Sequence, residues 1–269
     1  MANYIKMAKQ EKRPARRKRD SDVHLESVPT PGAEWKPTTD LGKQVKEGKV
    51  SQVEDIFKQG LTIMEAEIVD TLLPKMDEDL LLIGQAKGKF GGGQRRIFRQ
   101  TQKKTKEGNR MKFTTYAVIG NKNGFVGLGM GKSKETVPSR DKSRKKAKLS
   151  LIMIRRGCGS WQCHCKQPHS IPFEIQGRCG SSRITLIPAP RGKGLCVEKE
   201  CAKVLALAGI KDVLSKTYGQ TKTKVNLVGA LVDALKKLSQ MKVKPGEIES
   251  CGIIEGRIPE AEALKNPEA

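Results

Sequence analysis

The sequence predicts an α+β protein: an α-β-β-β-α unit, then a smaller α/β unit, with an extended segment at each end. Three observations carry this. Strand formers on either side of the hairpin dipeptide Asn123-Gly124 mark a sheet, a long lysine-rich helical stretch follows it, and two helices with apolar stripes occupy the last third. Hydrophobic residues make up 36% of the 269, enough for real cores but thin for packing the whole chain, which suits extended ends.

Residues 1–50 combine Lys12-Arg13-Pro14-Ala15-Arg16-Arg17-Lys18-Arg19 with Pro29, Pro31, Gly32 and Pro37 and show no sustained apolar period. They read as an extension without its own core. Residues 51–84 form an acidic helical segment: Val53, Ile56 and Phe57, then Ile63-Met64, Ile68 and Leu72-Leu73, recur at helical spacing before Pro74 stops the run. Within 85–156 a glycine-rich loop reaches Gly93. A strand is expected at Arg95–Gln102, a basic turn at Lys103–Arg110, and strands at Phe113–Ile119 and Phe125–Met130 joined by a two-residue hairpin. A basic helix follows from Ser133 or Pro138 to Ile154. This order matches double-stranded-RNA-binding folds.

Residues 157–240 are expected to form the α/β unit. Strands at Ile171–Ile175 and Arg183–Ile187 flank the turn Gly177-Arg178-Cys179-Gly180, and Pro188–Gly194 makes a basic loop. A helix at Glu198–Ala208 is stopped by Gly209, and another at Val225–Gln240 buries Val228, Leu231, Leu235 and Leu238. Residues 241–269 read as an acidic tail.

The net charge of +23 is unevenly spread. Residues 1–19 carry +7, 20–84 carry −8, 85–156 carry +18, 157–245 carry +10 and the remainder −4. A 72-residue block at +18 needs counter-charge, and a polyanion supplies it most simply. The candidate RNA-contacting residues are therefore Arg95, Arg96, Arg99, Lys103, Lys104, Lys106, Arg110, Lys112, Lys132, Lys134, Lys142, Lys145, Arg155 and Arg156, joined by Arg191, Lys193 and Lys216 in the second unit. The acids of 20–84 are expected to face basic neighbouring proteins or solvent. Aromatic residues, at 4%, are too few for a ring-walled small-molecule pocket or a long ladder of stacked bases, although Tyr218 could stack on one base. No apolar run approaches the ~18 residues of a membrane helix, and the polar start lacks a signal peptide's apolar core, so a soluble, non-exported chain is expected.

Gly127-Leu128-Gly129-Met130-Gly131-Lys132-Ser133 invites a phosphate-loop reading, which its spacing rejects. The first glycine of such a loop would fall at Val126, and the dinucleotide spacing fails because Gly131 comes one residue early. The alternation instead strips one face of a strand, letting a helix or an RNA backbone approach. Cys158, Cys163, Cys165 and His169 make a closed Cys3His set, the composition of a structural zinc site. The plainer alternative is three reduced thiols, and His164 or Cys179 could replace His169. Cys179 or Cys196 beside a histidine is a nominal nucleophile, but no oxyanion loop or carboxylate pair accompanies it, so no catalytic residue is expected.

The stretch Asn123-Gly124-Phe125-Val126-Gly127-Leu128-Gly129-Met130-Gly131-Lys132 with its basic helix resembles the universal ribosomal small-subunit protein S-five family. So do Pro168-His169-Ser170-Ile171-Pro172-Phe173, Leu186-Ile187-Pro188-Ala189-Pro190-Arg191-Gly192-Lys193-Gly194 and Ser215-Lys216-Thr217-Tyr218-Gly219, spanning about 55–240. The cysteine cluster with Gly157-Cys158-Gly159-Ser160-Trp161 resembles the archaeal form. The resemblance implies a non-enzymatic constituent of the cytoplasmic small ribosomal subunit, bound to its rRNA near the mRNA entry channel, beside proteins S-four and S-eight, and not a homo-oligomer. It implies that Gln102–Lys112 is the loop affecting decoding accuracy. A free double-stranded-RNA-binding assembly or regulatory factor is the alternative. Ser139-Arg140-Asp141-Lys142-Ser143 departs from the family's alanine-rich helix, and no function is carried onto 1–50 or 241–269.

Overall fold

The structure is a computed structural model that describes residues 35–86, 95–163 and 165–257, and these fall in one compact unit. Three short helices come first: α1 (Asp40–Lys46), α2 (Val53–Lys58) and α3 (Ala66–Leu72). α1 lies inside the segment expected to be an extension. Thr39 caps it by accepting from the Gly42 amide, and Glu65 holds its entry. One Glu65 oxygen accepts from Thr38 N (2.9 Å), Thr38 Oγ1 (2.8 Å) and Thr39 N (2.7 Å), and the other from Trp35 Nε1 (2.8 Å). Against the opposing effect of burial, these donors bring its pKa down to about 2. Val45, Val53, Ile56, Ile68 and Val69 then pack on Phe125 and Leu151.

The first sheet runs β1 (Asp77–Leu80), β3 (Gly108–Gly120), β4 (Phe125–Ser133), β5 (Leu151–Met153), with β2 (Arg99–Thr105) also pairing with β3. β1 lies in the segment expected to be helical; beyond Pro74, Asp77–Leu80 is drawn onto the edge of β3, pairing Asp77↔Gly120 through Leu80↔Ala117. β2 takes the other half of the same edge, Arg99↔Thr114 through Thr105↔Gly108. The expected eight-residue basic turn is therefore mostly strand. Only Lys106 and Glu107 turn the chain, with Gly108 at φ 112° accepting the tight reversal. The connection from β3 to β4 spans four residues rather than two, because Asn121 Oδ1 accepts from Asn123 N (2.8 Å) and Phe125 N (3.0 Å).

Helix α4 (Thr136–Leu149) lies directly on β4. It stops before the expected Ile154 because the chain turns at Ser150 into β5, which pairs with Phe125–Gly127. A Cβ on Gly127, Gly129 or Gly131 would collide with the α4 backbone at Ala147, Ser143 or Ser139. Those three helix residues are buried and recur every four positions, so a small-residue stripe faces a side-chain-free strand. Ser139 Oγ also bonds the carbonyls of Phe113 and Gly131, both at 3.1 Å. Here the serines that depart from the alanine-rich pattern are seam residues.

Next come β6 (Arg155–Arg156), β7 (Ile175–Cys179), β8 (Ser182–Pro188), β9 (Leu195–Cys196), α5 (Lys199–Ala208), β10 (Val213–Tyr218) and α6 (Lys224–Gln240). The second sheet has the order β7-β8-β10-β9. Ile171–Glu174 is not strand as expected; Ile171 and Pro172 are buried and Phe173 is half-buried on irregular backbone, and β7 starts at Ile175. Glu198 caps α5 and Gly209, at φ 85°, ends it. Within the expected acidic tail, α7 (Pro245–Cys251) leads to β11 (Ile254–Glu255), which pairs with β6. One core joins both halves, with Val118, Val126 and Ile154 packed among Val204, Leu205, Leu207, Ala208, Leu231 and Leu235.

Gly129→Val should lower the unfolding free energy by about 3 kcal/mol or prevent folding, since a branched side chain cannot enter the seam. Met130→Val, on the opposite face, should stay within about 0.5 kcal/mol. Equal stabilities in urea titrations would refute the close contact.

Candidate nucleic-acid interface and metal cluster

Strand residues directly opposite one another share a face, and alternate residues along a strand return to it. The register Arg99↔Thr114↔Lys132, Thr101↔Lys112 and Lys103↔Arg110 therefore sets Arg99, Lys103, Arg110, Lys112 and Lys132 on one face of the first sheet. All five are exposed. Further along, the same face becomes apolar at Val118 and Leu128 and joins the shared core. Between the two ends lies a groove of about 210 Å³, lined by Arg99, Thr101, Thr114, Tyr116, Met130 and Lys132. Lys103 directly opposite Arg110 is a like-charge pair, which destabilises a hairpin. Among the described residues, Glu107 is 4.0 Å from Arg110, and no carboxylate pairs with Lys103, Lys104, Lys106, Lys112 or Lys132.

The cations on the flank facing α1–α3 and β1 behave differently. Arg144 Nε lies 2.7 Å from Glu78, Lys148 2.7 Å from Asp70, Lys122 2.5 Å from Asp77 and Lys203 3.1 Å from Asp79. These four acids of the 20–84 block answer the chain's own bases, a role the sequence did not indicate, while Asp70 and Asp77 also remain exposed to solvent as expected. Lys134, Lys142 and Lys145 remain exposed, the last two on the side of α4 away from the seam.

Arg96 is exposed, and the half-exposed Arg95 donates to the Lys222 carbonyl at 3.3 Å. Arg191 and Lys193 stand exposed on the loop after β8, and Lys216 on β10. Arg155 and Arg156 do not join this set. Arg155 is buried and donates to Glu255 (2.7 Å) and to the carbonyls of Leu238 (3.2 Å), Ser239 (3.2 Å) and Met241 (2.6 Å). Arg156 is 2% exposed and donates to Asn123 Oδ1 (2.8 Å) and the Gly256 carbonyl (2.9 Å). Burial pushes its pKa down to about 10, so it stays charged at neutral pH. Both guanidiniums are internal struts tying the C-terminal segment to the core, not phosphate ligands. Gly131-Lys132-Ser133 ends β4 as extended strand, so no phosphate loop forms.

The ligand atoms of Cys158, Cys163, Cys165 and His169 all lie within 4.8 Å of one another. A tetrahedral ion with bonds of about 2.0–2.3 Å holds its ligands about 3.5–3.8 Å apart, so small side-chain shifts would close this set on one ion. The cluster is built by local turns: Cys163 N bonds the Ser160 carbonyl, Lys166 adopts φ 52°, and Gly157 bridges to Ser170. Asp212, 43 residues on, lies within hydrogen-bond distance of His169 Nδ1 at 2.8 Å, and Nε2 faces Cys163 Sγ at 3.9 Å. Burial pushes the Cys158 thiol up to about 12, while the Arg191 N–H holds Cys163 down to about 6. Of the substitutes for His169, Cys179 sits at the end of β7 against Gly229 and outside the set, and His164 lies outside the described residues.

Asp212 was not foreseeable from spacing. Its second oxygen accepts from Gly194 N at 2.7 Å, and its carbonyl accepts from Ser170 Oγ. The Arg191 amide reaches Cys163, so the cysteine cluster and the basic loop that carries Arg191 and Lys193 are fastened together.

Comparison with known proteins agrees with this architecture. Residues 97–155 match the family model described as Ribosomal protein S5, N-terminal domain, and residues 177–248 match Ribosomal protein S5, C-terminal domain. The cysteine cluster falls between the two. Small ribosomal subunit protein uS5 of Nanoarchaeum equitans (strain Kin4-M) is 45% identical over 225 residues, covering 84% of this chain and 96% of that protein. The protein of the same name from Methanococcus maripaludis (strain C6) is 45% identical over 224 residues, covering 83% and 91%. That from Methanocaldococcus jannaschii is 42% identical over 225 residues, covering 84% and 97%. With both domain models matched and this identity sustained over most of its length, the chain belongs to the ribosomal protein S5 family, in its archaeal type.

Proposed function

We propose that the chain is a non-enzymatic structural constituent of the cytoplasmic small ribosomal subunit and binds small-subunit rRNA chiefly through phosphates. The observation that carries this is the β2–β3 arm. It is exposed on both faces, with Arg99, Lys103, Arg110 and Lys112 on one and Lys104 on the other, and a polyanion would relieve the like-charge pair of Lys103 and Arg110. The sheet edge and the first turns of α4 extend the surface to Lys132, Lys134, Lys142 and Lys145, while Arg191, Lys193 and Lys216 add contacts from the second half. The family resemblance supports a position beside proteins S-four and S-eight, with the arm tip near the mRNA entry channel and affecting decoding accuracy. The alternative of a free double-stranded-RNA-binding factor is disfavoured by the core shared between both halves, since such a factor would need only the first.

Cys158, Cys163, Cys165 and His169 would hold one structural zinc ion, with all four positions filled by protein and none open for catalysis. The ion would neutralise the thiolates and stiffen the junction between the halves. Asp212 would orient His169 and, through Gly194, pass that rigidity to the basic loop.

Changing Lys103, Lys104 and Lys106 to alanine should reduce the slope of log K against log salt for rRNA binding by about one unit for each phosphate no longer neutralised. An unchanged slope would show that the arm does not touch phosphate. Elemental analysis should find about one zinc per chain, absent from Cys163→Ser, and Asp212→Asn should weaken zinc about 10- to 100-fold in a chelator competition. A chain without zinc whose thermal unfolding ignores chelation would remove the metal assignment.

A further inference from the structure

The exposed face of the second sheet, from which the RNA surface above takes only Lys216, carries a wider pattern. The register Arg178↔Arg183↔Tyr218 places two guanidiniums and one phenol in a single row across β7, β8 and β10, and Gln176↔Thr185↔Lys216 forms the row beside it. The alternate residues Gly177, Ile184 and Leu186 are buried on the opposite face, where Gly177 meets α6 at Ala230 and Ala234. The first row therefore points to solvent. Tyr218 is 54% exposed. β7, β8 and β10 contain no acidic residue.

A cleft of about 380 Å³ opens between the strand ends, lined by Gln176, Ser181, Arg183, Tyr218 and Gly219. Its rim is set in place by two hydrogen bonds: Ser182 Oγ donates to the Gln220 carbonyl at 2.8 Å, and Arg178 Nε to the Gly180 carbonyl at 3.0 Å. Cross-strand neighbours lie about 4.8 Å apart, so Arg183 is one strand and Arg178 two strands from the ring.

We propose that this face binds an unpaired RNA nucleotide, with Tyr218 stacking on the base and Arg183, Arg178 and Lys216 holding the flanking phosphates. An exposed ring beside cations, on strands that carry no acid and with Asp233 of α6 engaged by the Arg178 amide at the β7 edge (3.0 Å), suits a base on a polyanionic strand better than a protein surface. A base-paired duplex hides its base faces and could not use the ring. The proposal rests on the rRNA-binding reading and adds a site for unpaired strand to it.

The test uses the full chain with two probes, an unstructured mixed-sequence RNA octamer and a 16-base-pair RNA duplex. Tyr218→Ala should weaken octamer binding about ten-fold, Tyr218→Phe should stay within about two-fold of the parent, and duplex binding should not change with either. Arg183→Gln should lower the octamer's salt slope by about one unit. The proposal is overturned if Tyr218→Ala binds the octamer like the parent, or if the phenylalanine variant loses as much as the alanine variant. Unchanged octamer binding together with failed incorporation into reconstituted subunits would assign the face to a neighbouring protein instead. If the parent bound neither RNA, the rRNA reading would fall and this site with it, whereas duplex binding with an indifferent Tyr218 would sink the sheet site alone.

Discussion

The close contact between β4 and α4 is the constraint on which the first half of the protein depends. With side chains removed at Gly127, Gly129 and Gly131 and small residues at Ser139, Ser143 and Ala147, the helix lies directly against the strand backbone. This closes one face of the sheet. The other face is left to grade from the apolar core shared with α5 and α6 into the cationic arm. A bulkier seam would lift α4 and carry Arg144 and Lys148 away from Glu78 and Asp70.

That geometry sorts the charge. Acids of α3 and β1 pair with cations on the inner flank of α4, on the β3–β4 loop and on α5, so those cations are satisfied within the chain. Arg155 and Arg156 are likewise taken up by backbone carbonyls. Among the described residues, the exposed cations include those of the arm, the outer side of α4, the loop after β8 and the face of the second sheet. The positive charge of the described residues is thus divided between internal struts and an external surface.

Features set by local pattern were legible in the sequence. The glycine alternation announced a close approach, the Cys3His spacing announced the cluster that forms, and the apolar stripe of α6 and the Gly209 stop of α5 appear in their expected places. Features set by distant partners were not. Arg155 and Arg156 look like any basic pair until the C-terminal segment folds back over them, and Asp212 meets His169 only because the second half brings together residues 43 apart. β10 and the full length of the β2–β3 arm are hidden for a related reason. Lys103–Arg110 has the composition of a turn, and strand pairing across the register overrides it.

If the exposed arm is left charged because rRNA answers that charge, lysine acetylation compared between the free chain and assembled small subunits will show it. Lys103, Lys104, Lys106, Lys112 and Lys132 should react readily in the free chain and become protected in the subunit, while Lys148, paired with Asp70, should react slowly in both. Arm lysines equally reactive in both states would contradict it.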